Sequence, residues 1–498
     1  MNEMIKDFTK SLWEEFEIPE YKSLTQNLTT EVCVVGGGIS GVSIAYQLAK
    51  KGHKVVLLES ARIASGQSGR TTAHLTYQVE EQLARLLHHM KKERLEIFVN
   101  SHKKAIDLIE ETIFEEKINC NFKRIDGYLF LGPEDTIDIL KEEVRIGNEI
   151  GLDLSLIDKV PAFPHLGPAV IYPRQAQFHP KKYIAGLLGA MKGQNVEIFE
   201  NSHVKDFKVN YELADIVTEN GFVVSAKHLV IATDSPVNNR FYIHTKQTAY
   251  RTYVVGFEMN NKMEVPLLWD TADPYHYIRQ GNNILMIGGE DHRSGQDPKN
   301  DPFAAIINWA RNKFSNLGDV KWTWSGHIFE PIDQIGYIGR NPGFEKDVYV
   351  STGQSGIGMT SAAIASLIIP DLIEGNSNSM IDVFDPARKS LRETTHYIKD
   401  NSITAYQYKD WVTPADFKNE FEIPKDHGGV IMDGLTKACV FHGENDDFEK
   451  KSAVCTHLGG IVHWNELEKT WDCPCHGSRF NIHGKAIEGP ALNDLTER

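Results

Sequence analysis

The chain has 498 residues, 41% of them hydrophobic, and a formal net charge of −15. That length and composition suit two or three domains whose cores need no disulfide support. The acidic surface repels nucleic acid and anionic lipid before any local contact forms, which excludes both as bulk partners.

The amino terminus, MNEMIKDFTKSLWEEF, has neither an apolar h-region nor a twin-arginine pair. The apolar runs 32–49 and 362–373 are broken by glycines and polar residues or by Pro370-Asp371, so no membrane span is expected. These features predict a cytoplasmic protein. Residues 1–30 place Trp13, Phe16, Pro19 and Leu24 among charges and read as an extended arm laid on the body.

Residues 31–35 are apolar and partly β-branched, and a glycine run, Gly36-Gly37-Gly38-Ile39-Ser40-Gly41, follows. The spacing of Gly36, Gly38 and Gly41 is that of a dinucleotide cradle. The first glycine makes the tight turn, the second lets backbone approach a pyrophosphate, and the third lets helix pack on sheet. Val42, Ala45, Leu48 and Ala49 recur at helical spacing. A second strand over 54–58 ends at Glu59, a carboxylate placed to take ribose hydroxyls.

Such a unit could hold NAD or FAD. The next stretch, RIASGQSGRTTA over 62–73, is rich in glycine and hydroxyls. It offers backbone N–H and hydroxyl groups to an extended cofactor, a second loop that NAD does not require. Residues 80–117 read as one or two long helices with a solvated charged face. Strands are expected at 127–131, 196–199, 207–210, 222–224 and 229–232, and a helix around 183–191. Thr233 then falls at the carboxyl end of a strand beside the cofactor.

Residues 248–287 alternate most strongly and are assigned to a substrate domain. A last strand at 347–351 leads through Gly353, Gly356, Gly358, Met359 and Thr360 into an apolar helix ending near Pro370. This second Gly-rich turn aims a helix N-terminus at an electron-rich group. Residues 384–423 have no clear period and read as a connector, with a small domain at 424–498.

Of the six cysteines, Cys455, Cys473 and Cys475 fall in the last 44 residues. Cys455-Thr456-His457 and, 15 residues on, Cys473-Pro474-Cys475-His476 put two thiolates and two imidazoles on paired loops. This fits a Rieske cluster, in which Cys455 and Cys473 hold one iron and His457 and His476 the other. A tetrahedral zinc site could use the same residue types.

Both glycine turns, the SGQSGR loop, and Trp324-Ser325-Gly326 followed by Pro331, Asp333, Ile338 and Gly339 resemble the D-amino-acid oxidase and glycine oxidase family of FAD enzymes. The whole chain resembles members of that group fused to a carboxy-terminal Rieske [2Fe-2S] domain. The resemblance implies a glutathione-reductase-like α/β FAD-binding domain with an antiparallel substrate-capping sheet over 31–383, plus a small all-β Rieske domain. It implies that Gly36, Gly38, Gly41 and Glu59 hold the ADP half. Ser68, Gly69, Arg70, Thr71, Thr72 and Ala73 then lie near pyrophosphate and flavin, and Gly356 to Thr360 approach the flavin from the other side.

Within the Rieske part, Cys475 stands where high-potential relatives have one bridging cysteine, while Gly460 replaces the other. Ser478 matches a hydroxyl that bonds a cluster sulfur, and Phe480 replaces a tyrosine. Losing one such donor predicts an intermediate or low potential. Where the amino-acid oxidases have an arginine after W-x-G, this chain has His327-Ile328-Phe329.

Substrate-site candidates are therefore sought elsewhere, at Tyr253, Tyr275, His276, Tyr277, Arg279 and His292. The expected function is oxidation of a C–N bond in a small amine-like molecule, with electrons passing from FAD to the cluster and to an external acceptor or partner redox protein. A reductase-like electron-transfer protein feeding a partner enzyme is the alternative.

Overall fold

Strand β1 (Leu28–Val35), helix α1 (Ile39–Lys50) and strand β2 (Val55–Leu58) form the expected parallel unit. Val32 to Val35 and Val55 to Leu58 are buried throughout, as strands covered on both faces must be. The computed structural model describes residues 10–388 and 404–498, apart from 89, 211, 237–242, 261–262, 297, 299 and 345–346. Residues 1–9 of the arm and 389–403 of the connector lie outside the described residues.

The first sheet runs Tyr337–Arg340, Val348–Thr352, Val223–Ile231, β1, β2, Val196–Phe199. Pairs along this path are parallel except the Tyr337–Arg340 edge, and the strands Ala214–Thr218 and Val204–Val209 add an antiparallel extension to Val223–Ile231. The stretches 222–224 and 229–232 thus join into one strand.

Helix Gly358–Glu374 packs against α1. It runs through Pro370 and closes five residues later on Gly375, whose φ of 74° is left-handed. Burial of residues 359–366 and 368–370 outweighs the hydrogen bond that the proline removes. The segment Ser355–Glu374 is long and apolar enough to cross a membrane by length and composition, but 67% of it is buried in the fold against its neighbours.

A second sheet follows the order Leu317–Pro331, Gln247–Met259, Ile284–Arg293, Tyr277–Gly281, Leu267–Asp270, Lys123–Phe130, Ala169–Gln177, His74–Leu75. Its pairs are antiparallel except Leu267–Asp270 beside Lys123–Phe130. The charged stretch 80–117 divides into helices Leu83–Leu87 and Lys92–Glu115.

Among the described residues of the arm, Leu12 and Trp13 are buried on the body. Trp13 Nε1 donates to Thr71 O at 2.5 Å, and the Ser11 hydroxyl donates to Gly69 O.

At the carboxyl end, a three-stranded sheet (His427–Asp433, Thr436–His442, Phe448–Ser452) and a four-stranded sheet (His463–Asn465, Thr470–Asp472, Arg479–Phe480, Ala486–Glu488) form the small all-β domain. Of the connector, residues 384–388 stay on the large domain, where Arg388 pairs with Asp333, and residues 408–411 pack on the small one. Tyr408 OH donates to Leu458 O at 2.8 Å and Trp411 Nε1 to Gly459 O at 2.9 Å.

The two domains meet through a buried ionic network. Arg251, from the large domain, donates to Ser325 Oγ at 3.1 Å and to Glu488. Ser325 Oγ donates to Glu468 at 2.6 Å, and Arg479 pairs with Glu468 at 2.7 Å and Asp472 at 2.8 Å. Burial alone would raise the Glu468 carboxyl, but Arg479 and Arg251 outweigh it and hold that group down to about 2.

Two outcomes are expected. Arg251→Met leaves Glu488 and Glu468 short of a cation and destabilises the fold by about 3–5 kcal/mol, the usual cost of breaking a buried pair, read as a lowered melting temperature. A carboxylate held below its ordinary value contributes stability above pH 4.5 that is lost as pH falls toward 2. Thermal melts across that window should show a decline that Glu468→Gln flattens.

Candidate functional site: a cofactor cavity closed by the small domain

The glycine cradle is determined by close approach. A Cβ on Gly41 would stand 1.9 Å from Gly36 O, and one on Gly36, at φ +110°, would stand 2.6 Å from Ala232 O. Glu59 is fixed from both sides. Its Oε2 accepts from Gly37 N at 2.7 Å, and its Oε1 accepts from Ala61 N at 2.8 Å and from Ser60 Oγ at 3.0 Å. Ser68 Oγ accepts from Ile39 N at 2.9 Å, which ties the second loop to the start of α1.

These groups open on a continuous cavity of about 450 Å³. Of the residues expected at the cofactor, Gly36, Gly38, Glu59, Ser68, Arg70, Thr71, Thr72, Thr233, Gly356, Gly358 and Met359 line it. The other five stand behind the wall. Gly41 and Gly69 allow close backbone packing, Ala73 O accepts from Arg279, Gly353 lies against Gln247, and Thr360 Oγ1 is 2.7 Å from His102 Nδ1. Several lining polar atoms, Ser235 Oγ, Ser355 Oγ and both His327 ring nitrogens, are buried without a hydrogen-bond partner. Buried polar groups are nearly always bonded, so this wall fits a polar ligand the size of a dinucleotide.

Of the six substrate-site candidates, the structure brings Tyr275 and Tyr277 to the cavity. The Tyr275 hydroxyl donates to Glu80 Oε1, and a Cβ on Gly356 would meet that same oxygen. Tyr253 is fully buried, stacked on His292 with ring centroids 5.5 Å apart and edge-on to Phe303, so it is core. His276 is held by Asp270 at 2.9 Å and stacked on Trp309 at 4.0 Å. Arg279 spends its donors on Thr72 O, Ala73 O, Phe178 O and Gln177 under the Trp13 ring. It clamps the cofactor loop, with four of its five N–H donors bound to these oxygens, and it does not line the cavity.

Sequence reasoning missed Glu80, which it placed on a solvated face. Burial pushes its carboxyl up, against the opposing hydrogen bonds from Tyr275 and Gly356. The Tyr277 hydroxyl lies 2.8 Å from Thr252 Oγ1.

The cluster loops are built alike. Gly459 N donates to Cys455 O and Gly477 N to Cys473 O, each at 3.0 Å, and both glycines have left-handed φ, +78° and +80°. The two cysteines are buried, and the His457 and His476 rings lie 5.0 Å apart at 89°. Among the described residues no three His, Cys, Asp or Glu side chains converge as a mononuclear site requires. A thiolate pair and an imidazole pair suit two irons, one pair each. A Cβ on Gly460 would lie 2.5 Å from Cys475 Sγ, and all six cysteines are free thiols.

The small domain is part of the cavity wall: Ala486 to Gly489, Ala491 and Leu492 line it beside the cradle. Gln67 joins the two sides, accepting from His327 N at 2.7 Å and donating to Glu488 Oε1 at 3.0 Å. Gly41→Ala should abolish FAD retention, because its Cβ cannot fit beside Gly36 O. The flavin-to-protein ratio of the purified variant is the check, with iron content expected to stay at the wild-type level.

Residues 31–372 match the family model described as FAD dependent oxidoreductase, and residues 416–497 match that of the Rieske [2Fe-2S] domain. YhfW of Bacillus subtilis, provisionally named a Rieske 2Fe-2S iron-sulfur protein, is 26% identical over 99% of this chain and 98% of its own. The gamma-glutamylputrescine oxidoreductase of Escherichia coli is 24% identical over 72% of this chain and 86% of its own. Glycine oxidase from Geobacillus kaustophilus superposes with a TM-score of 0.62 at 19% identity, covering 73% of this chain and all of that one. The chain belongs to the DAO family of FAD-dependent oxidoreductases and carries a carboxy-terminal Rieske [2Fe-2S] domain.

Proposed function

We propose that the protein is a dehydrogenase of amine-like small molecules that delivers its electrons, through the Rieske cluster, to an external one-electron acceptor. The observation that carries this reading is the shared wall. Residues that follow the cluster loops line the same cavity as the FAD cradle, so a two-electron centre and a one-electron carrier are built into one site. Bound FAD supplies a hydride acceptor and the cluster a one-electron relay.

The amine part of the reading rests on the carboxylates at the substrate end. Glu80 lines the cavity, while Asp291 and Glu330 lie near enough that each, pushed up first by burial, is raised further by Glu80. Carboxyls that burial holds protonated regain their charge beside an entering ammonium group, whereas an amino-acid carboxylate would add to their mutual repulsion. The relatives include an enzyme named for a putrescine derivative, which agrees.

On this reading Tyr275 orients Glu80, and Glu80 takes the ammonium proton so that the amine lone pair can assist loss of hydride. Trp269 and Tyr277 line the same end of the cavity and limit access of water.

The test is anaerobic. A diamine, a monoamine, glycine and NADH are added in turn while flavin absorbance and the EPR signal of the reduced cluster are followed. Amines should bleach the flavin and then raise the cluster signal. Reduction by NADH alone, or flavin reduction that never reaches the cluster, would overturn the proposal. Glu80→Gln should lower the rate of flavin bleaching by about 10²-fold. In the wild type that rate should rise with pH, as the carboxyl loses its proton.

A further inference from the structure

His327 is one of the large-domain residues, with Ala249 and Gly295, on which the second cluster loop rests. It lies on strand Leu317–Pro331, where its backbone pairs with Arg251. Its ring is 1% exposed and packs on Phe329 with centroids 4.5 Å apart. One edge faces the cofactor cavity, which it lines. The other faces Gly477, the residue after His476: a Cβ there would stand 2.7 Å from His327 Nε2 and 2.5 Å from Ala249 Cβ. Only glycine lets the loop come this close.

Packing alone does not account for a histidine here. Neither ring nitrogen has a hydrogen-bond partner, and the nearest carboxylate, Asp234, is 3.7 Å from Nδ1. A buried imidazole normally satisfies at least one nitrogen. A leucine or phenylalanine would fill the same space without leaving polar atoms unpaired. An imidazole with unpaired nitrogens, set between a cavity and a ligand loop, is completed by what the cavity binds. Burial lowers its proton affinity, to about 4, so at neutral pH the ring is uncharged and adds no barrier to passage of an electron.

We propose that His327 is the positioning residue that couples the two redox centres: its imidazole bonds the bound flavin cofactor on one edge and holds the His476–Gly477 loop in van der Waals contact on the other. This inference rests on the reading that electrons pass from flavin to cluster. Each passage moves one electron, reducing one cluster iron from Fe(III) to Fe(II). Two passages, each followed by reoxidation by the external one-electron acceptor, clear the two electrons that a hydride brings. Electron transfer falls off steeply with the width of an unfilled gap, and the ring fills that gap.

The experiment uses the full-length protein loaded with FAD and cluster. A laser flash with a soluble deazaflavin reductant delivers single electrons, and the decay of the flavin signal into the cluster signal is timed. Variants His327→Ala and His327→Phe are compared with wild type. FAD content, iron content, cluster EPR spectrum and melting temperature are read on each.

His327→Ala should slow the transfer at least about tenfold, as small misplacements of reacting groups do, while its cluster spectrum stays that of the wild type. His327→Phe refills the gap and should transfer within about threefold of wild type. It should also show a shifted flavin absorption spectrum, because the bond to the cofactor is gone. If the alanine variant does not load its cofactors, the phenylalanine variant decides alone, through its transfer rate and flavin spectrum.

Wild-type transfer rates in His327→Ala, or a phenylalanine variant that is tenfold slow or spectrally unchanged, would overturn the assignment. An absence of transfer in the wild type would instead overturn the underlying electron-path reading.

Discussion

Two arginines and three carboxylates buried between the domains decide how the rest of the molecule works. Arg251 comes from the substrate-capping sheet, while Arg479, Glu468, Asp472 and Glu488 come from the small domain. Burying five charges is expensive unless every one is paired, and mispaired arrangements cost several kcal/mol. The network therefore tolerates few alternative docking geometries. Apolar contact alone would permit sliding. The consequence is positional: Glu488 at the seam also reaches Gln67, and the residues around it become cavity wall.

That arrangement separates this chain from a flavoprotein with a tethered electron carrier. A tethered domain would exchange between docked and undocked states, and each electron would wait for an encounter. Here the cluster loops are covered on one side by Tyr408 and Trp411 of the connector. On the other side they are pressed against Gly295 and His327, where a Cβ on Gly295 would overlap Pro474 N at 2.5 Å. Gly295 lets two backbones meet, and Gly477 lets its loop reach the Ala249 and His327 side chains, where a Cβ would hold them apart.

Much of this was legible in the residues, and the limits have physical causes. The cradle glycines, Glu59 and the two Cys-x-His and Cys-x-x-His pairs stood out because the chemistry they suit requires particular atoms at short, fixed spacing. The second loop stood out as a run of hydroxyls and glycines. The residues that meet at the far end of the cavity did not, because they arrive from segments far apart in sequence. Glu80 sits in a stretch whose composition reads as a solvated helix, yet the chain turns it inward to meet Tyr275, 195 residues on. Arg279 has the composition of a substrate anchor, but its donors are consumed by carbonyls of the loop it clamps. The helix through Pro370 shows tertiary burial outweighing a local stop signal. The seam between the domains was invisible, since its charges are individually ordinary and acquire meaning only in register.

The direction of electron flow depends on the two midpoint potentials. Ser478 lies beside the Cys455 sulfur, while Phe480, fully buried, offers no hydroxyl where related clusters have one. Losing one such donor is expected to lower the cluster's potential. The most direct measurement is an anaerobic spectroelectrochemical titration of the intact protein, with flavin followed by absorbance and cluster by EPR. The account predicts a cluster midpoint at or above that of the flavin, so that electrons run from the cavity outward. A cluster midpoint well below the flavin's would contradict it, and would make the cluster the entrance to the flavin.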